Sequence, residues 1–283
     1  MTAAAPTTAP TTPPDDAATR LPPPRGSVLP AVIRSEWTKL RSVRSTVWSL
    51  FATFGITVGL GALFCFAYVR RFDHLNLRQR LTFDPTLQSL RGLFLAQIAI
   101  GVLGVLVISS EYATGVIRTT LTAVPQRRVL LAAKGVVFGA VALVVSMISV
   151  FVAFFLGQAV LHGKHLGVSL GDPHVLRAVL GAGVYLTIVG LLGLALGAIV
   201  RRTAGAVATL FAVVLVLPLL TRALPSPWDT DIGKFLPAQL GAAMFSVRPD
   251  TGLLSPGTAL VVALVWLVVA YTIAAILITR RDA

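Results

Sequence analysis

Residues 135–161 read GVVFGAVALVVSMISVFVAFFLGQAVL, with no Asp, Glu, Lys or Arg among them. A helix needs about 20 apolar residues to cross a hydrocarbon core about 30 Å thick. It also satisfies its own backbone hydrogen bonds, which lipid cannot do for it. This run therefore reads as a membrane-spanning helix. Working outward, five further uncharged runs pass the same test, at about 47–69, 92–110, 178–200, 203–221 and 258–279. The fold class that follows is an all-α membrane protein with six transmembrane helices.

Composition points the same way. Of 283 residues, 55% are hydrophobic and 12% charged, with mean hydropathy +0.84. Soluble domains carry about 25% charged residues, so an ordinary water-soluble enzyme is excluded. The net charge of +13 raises nucleic acid as a partner. The basic residues, however, are scattered between apolar runs rather than gathered on one domain. Lipid headgroups and loop bias explain them better, and no nucleic-acid partner is expected. Cys65 stands alone, which excludes an intramolecular disulfide and a cysteine metal cluster.

Before the first span the chain changes character twice. Residues 1–27 hold seven prolines among Thr and Ala and no apolar run, the composition of a disordered tail. It has neither the charged start nor the apolar stretch of a signal peptide. Over 30–45, Ile33, Trp37, Leu40 and Val43 follow helical spacing and Val47 continues the stripe, while Arg34, Lys39, Arg41 and Arg44 occupy other faces. That pattern predicts an interfacial amphipathic helix, with the solvated start of the first span as the plainer alternative. Residues 28–283 then form one six-span domain.

With the N-terminus cytoplasmic, six spans return the C-terminus to the same side, and 14 of the 24 basic residues fall inside. The Arg201-Arg202 turn and the Arg280-Arg281 tail lie where the positive-inside bias counts most. Arg70, Arg71, Arg78, Arg80 and Arg91 in the first outer loop oppose it. The inside acids near a span are Glu36, Glu111 and Asp282. The topology read is N-in and C-in.

One inside loop is patterned. Glu111-Tyr-Ala-Thr-Gly115-Val-Ile-Arg118 runs through Pro125, Arg127 and Arg128 to Lys134. Gly115 permits a turn. Val116, Ile117 and Leu121 line one face of a short helix, and Pro125 stops it. Arg127, Arg128 and Lys134 are placed at headgroup level. The loop is either an element for a partner to grip or a plain connection whose charges set topology.

Catalytic signatures are missing. Gly163-Lys164 and Gly233-Lys234 lack the rest of a phosphate loop. Ser109, Ser110 and the histidines have no nucleophile context. His162, His165 and His174 lack the spacing of a metal site, so no metal is expected. Gln97, Gln158, Tyr185 and Thr187 are the polar groups within spans; they line a path or bond helix to helix. Gly193-x-x-x-Gly197 has the spacing of a helix-packing motif, and in so glycine-rich a chain it is equally accounted for by chance.

The chain resembles the integral membrane subunit of bacterial ABC-2-type ATP-binding-cassette exporters, and actinobacterial members in particular. The residues that carry the resemblance are Ser35-Glu36-Trp37-Thr38-Lys39-Leu40-Arg41-Ser42, Glu111-Tyr112-Ala113-Thr114-Gly115, then Arg118, Pro125-x-x-Arg128 and Lys134, and the end Arg280-Arg281-Asp282-Ala283. It covers about residues 30–283. The resemblance implies a multi-pass permease of the bacterial plasma membrane. It also implies a coupling helix between spans 2 and 3 that meets a separate ATPase subunit through Glu111, Gly115, Arg118, Pro125, Arg127 and Arg128. The interfacial helix contributes Glu36, Trp37, Lys39 and Arg41. Two permease copies or paralogues line the export path for a hydrophobic or amphipathic cargo, with Gln97, Gln158 and Tyr185 as path-lining candidates. ATP binds to the partner, so the chain needs no cofactor and is no enzyme. Short helices over 222–257 dip into the membrane or form an exposed outer loop. The competing readings are an ATP-independent scaffold or sensor and, third, an ion-coupled carrier, which the uncharged spans disfavour.

Overall fold

The computed structural model describes residues 28–74, 76–123, 126–225, 227–248 and 252–280. The proline-rich segment 1–27, Pro125 and Arg281 lie outside the described residues. Among the described residues the regular structure is helical, and six helices are long and apolar enough to cross a membrane. Helix α1 (Val28–Ser42) precedes the first long helix, α2 (Arg44–Arg71), which ends in a 3-10 turn at Phe72–His74. Two short helices, α3 (Leu77–Leu81) and α4 (Pro85–Ser89), lead to α5 (Leu93–Ala113). The short α6 (Val116–Ala123) then connects to α7 (Arg127–His162). Next come α8 (Val175–Val200) and a fifth span built from α9 (Thr203–Phe211), a π-helical turn (Ala212–Val216) and α10 (Leu217–Thr221). Helices α11 (Trp228–Gly233) and α12 (Pro237–Phe245) precede the last span, α13 (Pro256–Arg280).

Helix α8 is the axis of the bundle, with Leu186, Leu194 and Ala195 fully enclosed. It meets α5 along a glycine seam. A Cβ built on Gly104 would lie 2.0 Å from the Gly190 carbonyl oxygen, and one on Gly193 would lie 2.1 Å from that of Gly101. At Gly197 the Val105 oxygen would be 2.9 Å away. Lipid supplies no hydrophobic drive between helices, so such backbone contact is how they associate. The Gly193-x-x-x-Gly197 pair is therefore a working packing motif. Helix α13 uses alanines for the same purpose: Ala259, Ala263, Ala270 and Ala274 are buried, while Val261, Val265 and Val268 face outward.

Two departures from the sequence reading affect function. First, α7 starts at Arg127, eight positions ahead of the expected boundary, and its 36 residues extend about 54 Å at 1.5 Å per residue. Its first two turns, which carry Arg127, Arg128 and Lys134 ahead of the uncharged run, serve as a docking post for α1 and α6. Second, α1 docks onto the protein through a face beside the stripe expected to meet the membrane. Val32 and Glu36 are buried, whereas Trp37 is 50% exposed and Val43 and Val47 also point out. The cause is a small core of Val32, Ile117, Leu130 and Ala133, flanked by Ile33 and Tyr112. It ties α1 to α6 and to the start of α7.

At the opposite end, α12 lies directly on α8. A Cβ on Gly181 would meet the Met244 carbonyl oxygen at 2.4 Å, and one on Gly241 would strike the Tyr185 ring at 2.5 Å. Gly181 and Tyr185 lie about 9 and 15 Å along α8 from its first residue. Within the 222–257 segment, α12 therefore packs into the bundle, while Leu224, Trp228 and Ile232 stay exposed.

Candidate functional site

Four charged side chains converge at the end of the bundle where α5 finishes and α7 begins. Lys134 Nζ donates to Glu36 Oε2 at 2.5 Å and to Glu111 Oε1 at 2.9 Å. Lys39 Nζ donates to Glu36 Oε1 at 2.7 Å and to Glu111 Oε1 at 3.2 Å, and reaches Thr120 Oγ1 on α6 at 3.4 Å. Two carboxylates and two ammonium groups make the hub neutral. Glu36 and Lys134 are almost wholly enclosed, at 4% and 3% exposure. Removing charges from water is costly, and close pairing with several hydrogen bonds is what offsets the cost. Burial alone would raise the Glu36 pKa, but Lys134 and Lys39 outweigh it and hold the carboxyl below its ordinary range. Burial likewise opposes the charge on Lys39, and Glu36 and Glu111 overcome it, so its pKa is raised. Both groups thus stay ionised across the physiological range.

The hub joins four elements: α1 through Glu36 and Lys39, α5 through Glu111, α6 through Thr120, and α7 through Lys134. Local sequence explains why they can meet. Gly115 adopts φ +73° with open space around its Cβ position, a left-handed turn that ends α5 and starts α6 without strain. Glu111 falls one turn before that bend, and Lys134 is carried inward by the extra turns of α7.

Arginines fasten the neighbouring helix ends. Arg127 donates to the Ile278 carbonyl at 3.0 Å, and Arg201 to that of Leu277 at 3.2 Å. Cations there bind the unpaired carbonyls at the end of α13 and oppose its dipole. Arg201 holds φ +60° to do this, with its guanidinium 5.2 Å from the Tyr112 ring centroid. Through these contacts α7, α8 and α13 share one fixed end.

The structure sorts the residues expected to act. Glu36, Lys39 and Glu111 are brought together in the hub. Lys134, expected at headgroup level, is instead its buried centre, because its ammonium is solvated by two carboxylates in place of water. Gly115 forms the turn, Arg127 clamps α13, and Arg128, Trp37 and Arg41 are exposed. The Arg118 side chain lies outside the described residues. Of the in-span polar groups, Gln97 and Tyr185 meet: the Tyr185 hydroxyl donates to Gln97 Oε1. Gln158 lies elsewhere and binds α4 to α7, donating to Ser89 Oγ at 3.0 Å and Pro85 O at 3.1 Å, and accepting from Val168 N at 2.8 Å. Among the described residues, no three His, Cys, Asp or Glu side chains converge as metal ligands. Sequence reasoning missed the Thr120 contact and the Arg201–Tyr112 stacking. For the hub one signal was available: two of the three acids flanking the inside ends of spans are Glu36 and Glu111.

A family model described as ABC-2 family transporter protein matches residues 32–219. No curated protein sequence matches the chain. The match takes in α1, the hub and five of the six long helices, and the chain belongs to the ABC-2 transporter family as a multi-pass membrane protein.

Proposed function

We propose that this ABC-2 family chain is the permease of an ATP-driven exporter, N-in and C-in in the bacterial plasma membrane. It works as a dimer with a second copy or a paralogue, and surrounding lipid supports it. Separate ATP-binding-cassette subunits bind the nucleotide, so the chain itself is a transport subunit without enzymatic activity, cofactor or metal. Its cargo is hydrophobic or amphipathic. The ABC-2 permease family generally works with such ATPase partners.

The observation that carries this reading is the four-charge hub. Helix α6 buries Ile117 and turns Val116, Thr119 and Thr122 outward. It is the outward face that a partner would grip. A push there reaches α5 and α7 through Thr120, Lys39, Glu111 and Lys134, with the Gly115 turn as a hinge between α5 and α6. Such a linkage suits a rigid-body switch between inward- and outward-open arrangements.

The test reverses charge on the outer face while sparing the hub. Arg128→Glu combined with Val116→Asp, co-expressed with candidate ATP-binding-cassette subunits of the same genome, is expected to lose ATPase co-purification and ATP-dependent export. Membrane insertion and thermal unfolding of the chain should stay as in wild type. Unaltered co-purification and transport would remove α6 from the coupling role.

A further inference from the structure

Away from the hub, a cavity of about 460 Å³ opens between the first turns of α5, the middle of α8, the π-turn and α10 of the fifth span, and α12. Its size is that of small-molecule sites. Its walls are apolar, with Phe94, Leu215, Pro218 and Phe245 among them. Its polar lining includes Gln239 and the Gln97–Tyr185 pair, the latter two each 3% exposed. Gln97 Nε2 also donates to the Phe94 carbonyl at 3.0 Å, which leaves one amide hydrogen of Gln97 to offer. Two exposed arginines, Arg91 and Arg222, also line the cavity. Neither forms an ion pair among the described residues. The contact made by the Arg91 guanidinium is with the Phe64 ring, 5.7 Å from its centroid.

Guanidinium groups match carboxylate and phosphate geometry and do not deprotonate. Two of them without counter-charge, beside an apolar hollow, select for a particular chemistry. A neutral ligand leaves both unpaired. A cationic amphiphile is repelled by both, which is discrimination by an unfavourable contact. An anionic head with an aliphatic tail pairs the arginines and fills the hollow at once. The fifth span is also irregular at this wall. Pro218 has no N–H to give the carbonyl four residues back, and the turn just before it is π-helical, a feature often found at functional sites.

We propose that this cavity binds an amphipathic anion, its phosphate or carboxylate head held by Arg91 and Arg222 and its tail between Phe94 and Phe245. The site lies in the half of the bundle opposite the hub. Its use in transport rests on the exporter reading; binding does not.

The experiment measures saturable binding of radiolabelled dodecyl phosphate to the purified full chain in phosphatidylcholine nanodiscs. Dodecyltrimethylammonium and inorganic phosphate serve as competitors. Wild type should bind dodecyl phosphate with neither competitor displacing it. Each arginine should contribute about tenfold in affinity, so Arg91→Gln with Arg222→Gln should bind about 100-fold more weakly. Ala242→Phe, which fills the cavity and keeps both arginines, should weaken binding at least tenfold, and it keeps the test decisive if the double variant unfolds. Undiminished binding in both folded variants would overturn the proposal. Displacement by inorganic phosphate would reduce the site to a head-group site and overturn it as an amphiphile site, and displacement by the cation would overturn its charge selectivity. Charge-dependent binding without ATP-driven export would leave this site standing and sink the exporter reading. Export without such binding would do the reverse.

Discussion

Replacing Lys134 by Met isolates the charge at the centre of the hub, because Met retains the long apolar stem of the lysine. It removes the hydrogen bonds to Glu36 at 2.5 Å and to Glu111 at 2.9 Å. Two carboxylates then share Lys39, which lies 2.7 and 3.2 Å from them, and one carboxylate is left without a counter-charge. Breaking a buried pair in this way costs about 3–5 kcal/mol. Protonation sets a ceiling. Neutralising a carboxyl of ordinary pKa 4.5 at pH 7 costs about 3.4 kcal/mol, at 1.36 kcal/mol per unit. The expected loss is therefore about 3 kcal/mol at pH 7, and the ceiling falls below about 1 kcal/mol at pH 5. Wild type behaves oppositely. Lys134 and Lys39, acting against burial, hold the Glu36 pKa below 4.5. The stability from this group is thus complete above that value and is lost as pH falls further. Thermal unfolding in neutral detergent at pH 7.5 and 5.0, with limited proteolysis of α1, reads the first effect, and extending the wild-type series below pH 4.5 reads the second. The reasoning fails if Lys134→Met unfolds with wild type at pH 7.5, or if the gap between them is the same at both pH values.

Other changes follow from the packing. Gly104→Leu and Gly193→Leu place atoms inside the facing backbone of α8 or α5, beyond the usual 1–3 kcal/mol of overpacking; solubilised yield should collapse for either. Gly115→Ala has room but the wrong φ, so it should cost about 1–2 kcal/mol, and Gly115→Asn should recover much of that in the same unfolding assay. Tyr185→Phe leaves the buried Gln97 carbonyl without its donor and should cost about 1–3 kcal/mol, read as a lower unfolding temperature.

Exclusion of charge from lipid is a rule about composition, and so the six spans are legible in the sequence, though the start of α7 is not. The end of α5 at Gly115 is legible for a similar reason, since a left-handed turn has few residue types to choose from. The hub is not legible, because pairing depends on which faces of three separate helices meet. The periodicity of α1 pointed to Trp37 and Val43 as the face toward the membrane, and Glu36 lies only about 100° around the helix from Trp37. The energy of four mutually neutralising charges, added to that of the Val32–Ile117–Leu130–Ala133 core, decides the rotation. Lys134 illustrates the same limit. A lysine one residue ahead of a 27-residue apolar run looks like a headgroup anchor until the helix is seen to begin at Arg127. Gln97 and Tyr185 are 88 positions apart, and no local pattern pairs them.

Helix α5 connects the two ends of the molecule. Glu111 in its last turn belongs to the hub, and Gln97 in its second turn belongs to the cavity. Between them, Gly101 and Gly104 set α5 against the backbone of α8, closer than any side chain would permit. Interfaces packed this tightly do not deform gradually, because a shift of a few tenths of an ångström already brings backbone atoms into overlap. In the proposed exporter, displacement of α6 must therefore move α5 and α8 together, carrying Gln97 and Tyr185 with them. The opposing wall of the cavity is different. Its Val214 and Leu215 belong to the π-turn, where the regular ladder of the fifth span is already interrupted. The cavity thus has one wall coupled to the hub and one wall able to yield, and relative motion between them would change its shape while the hub itself stays intact.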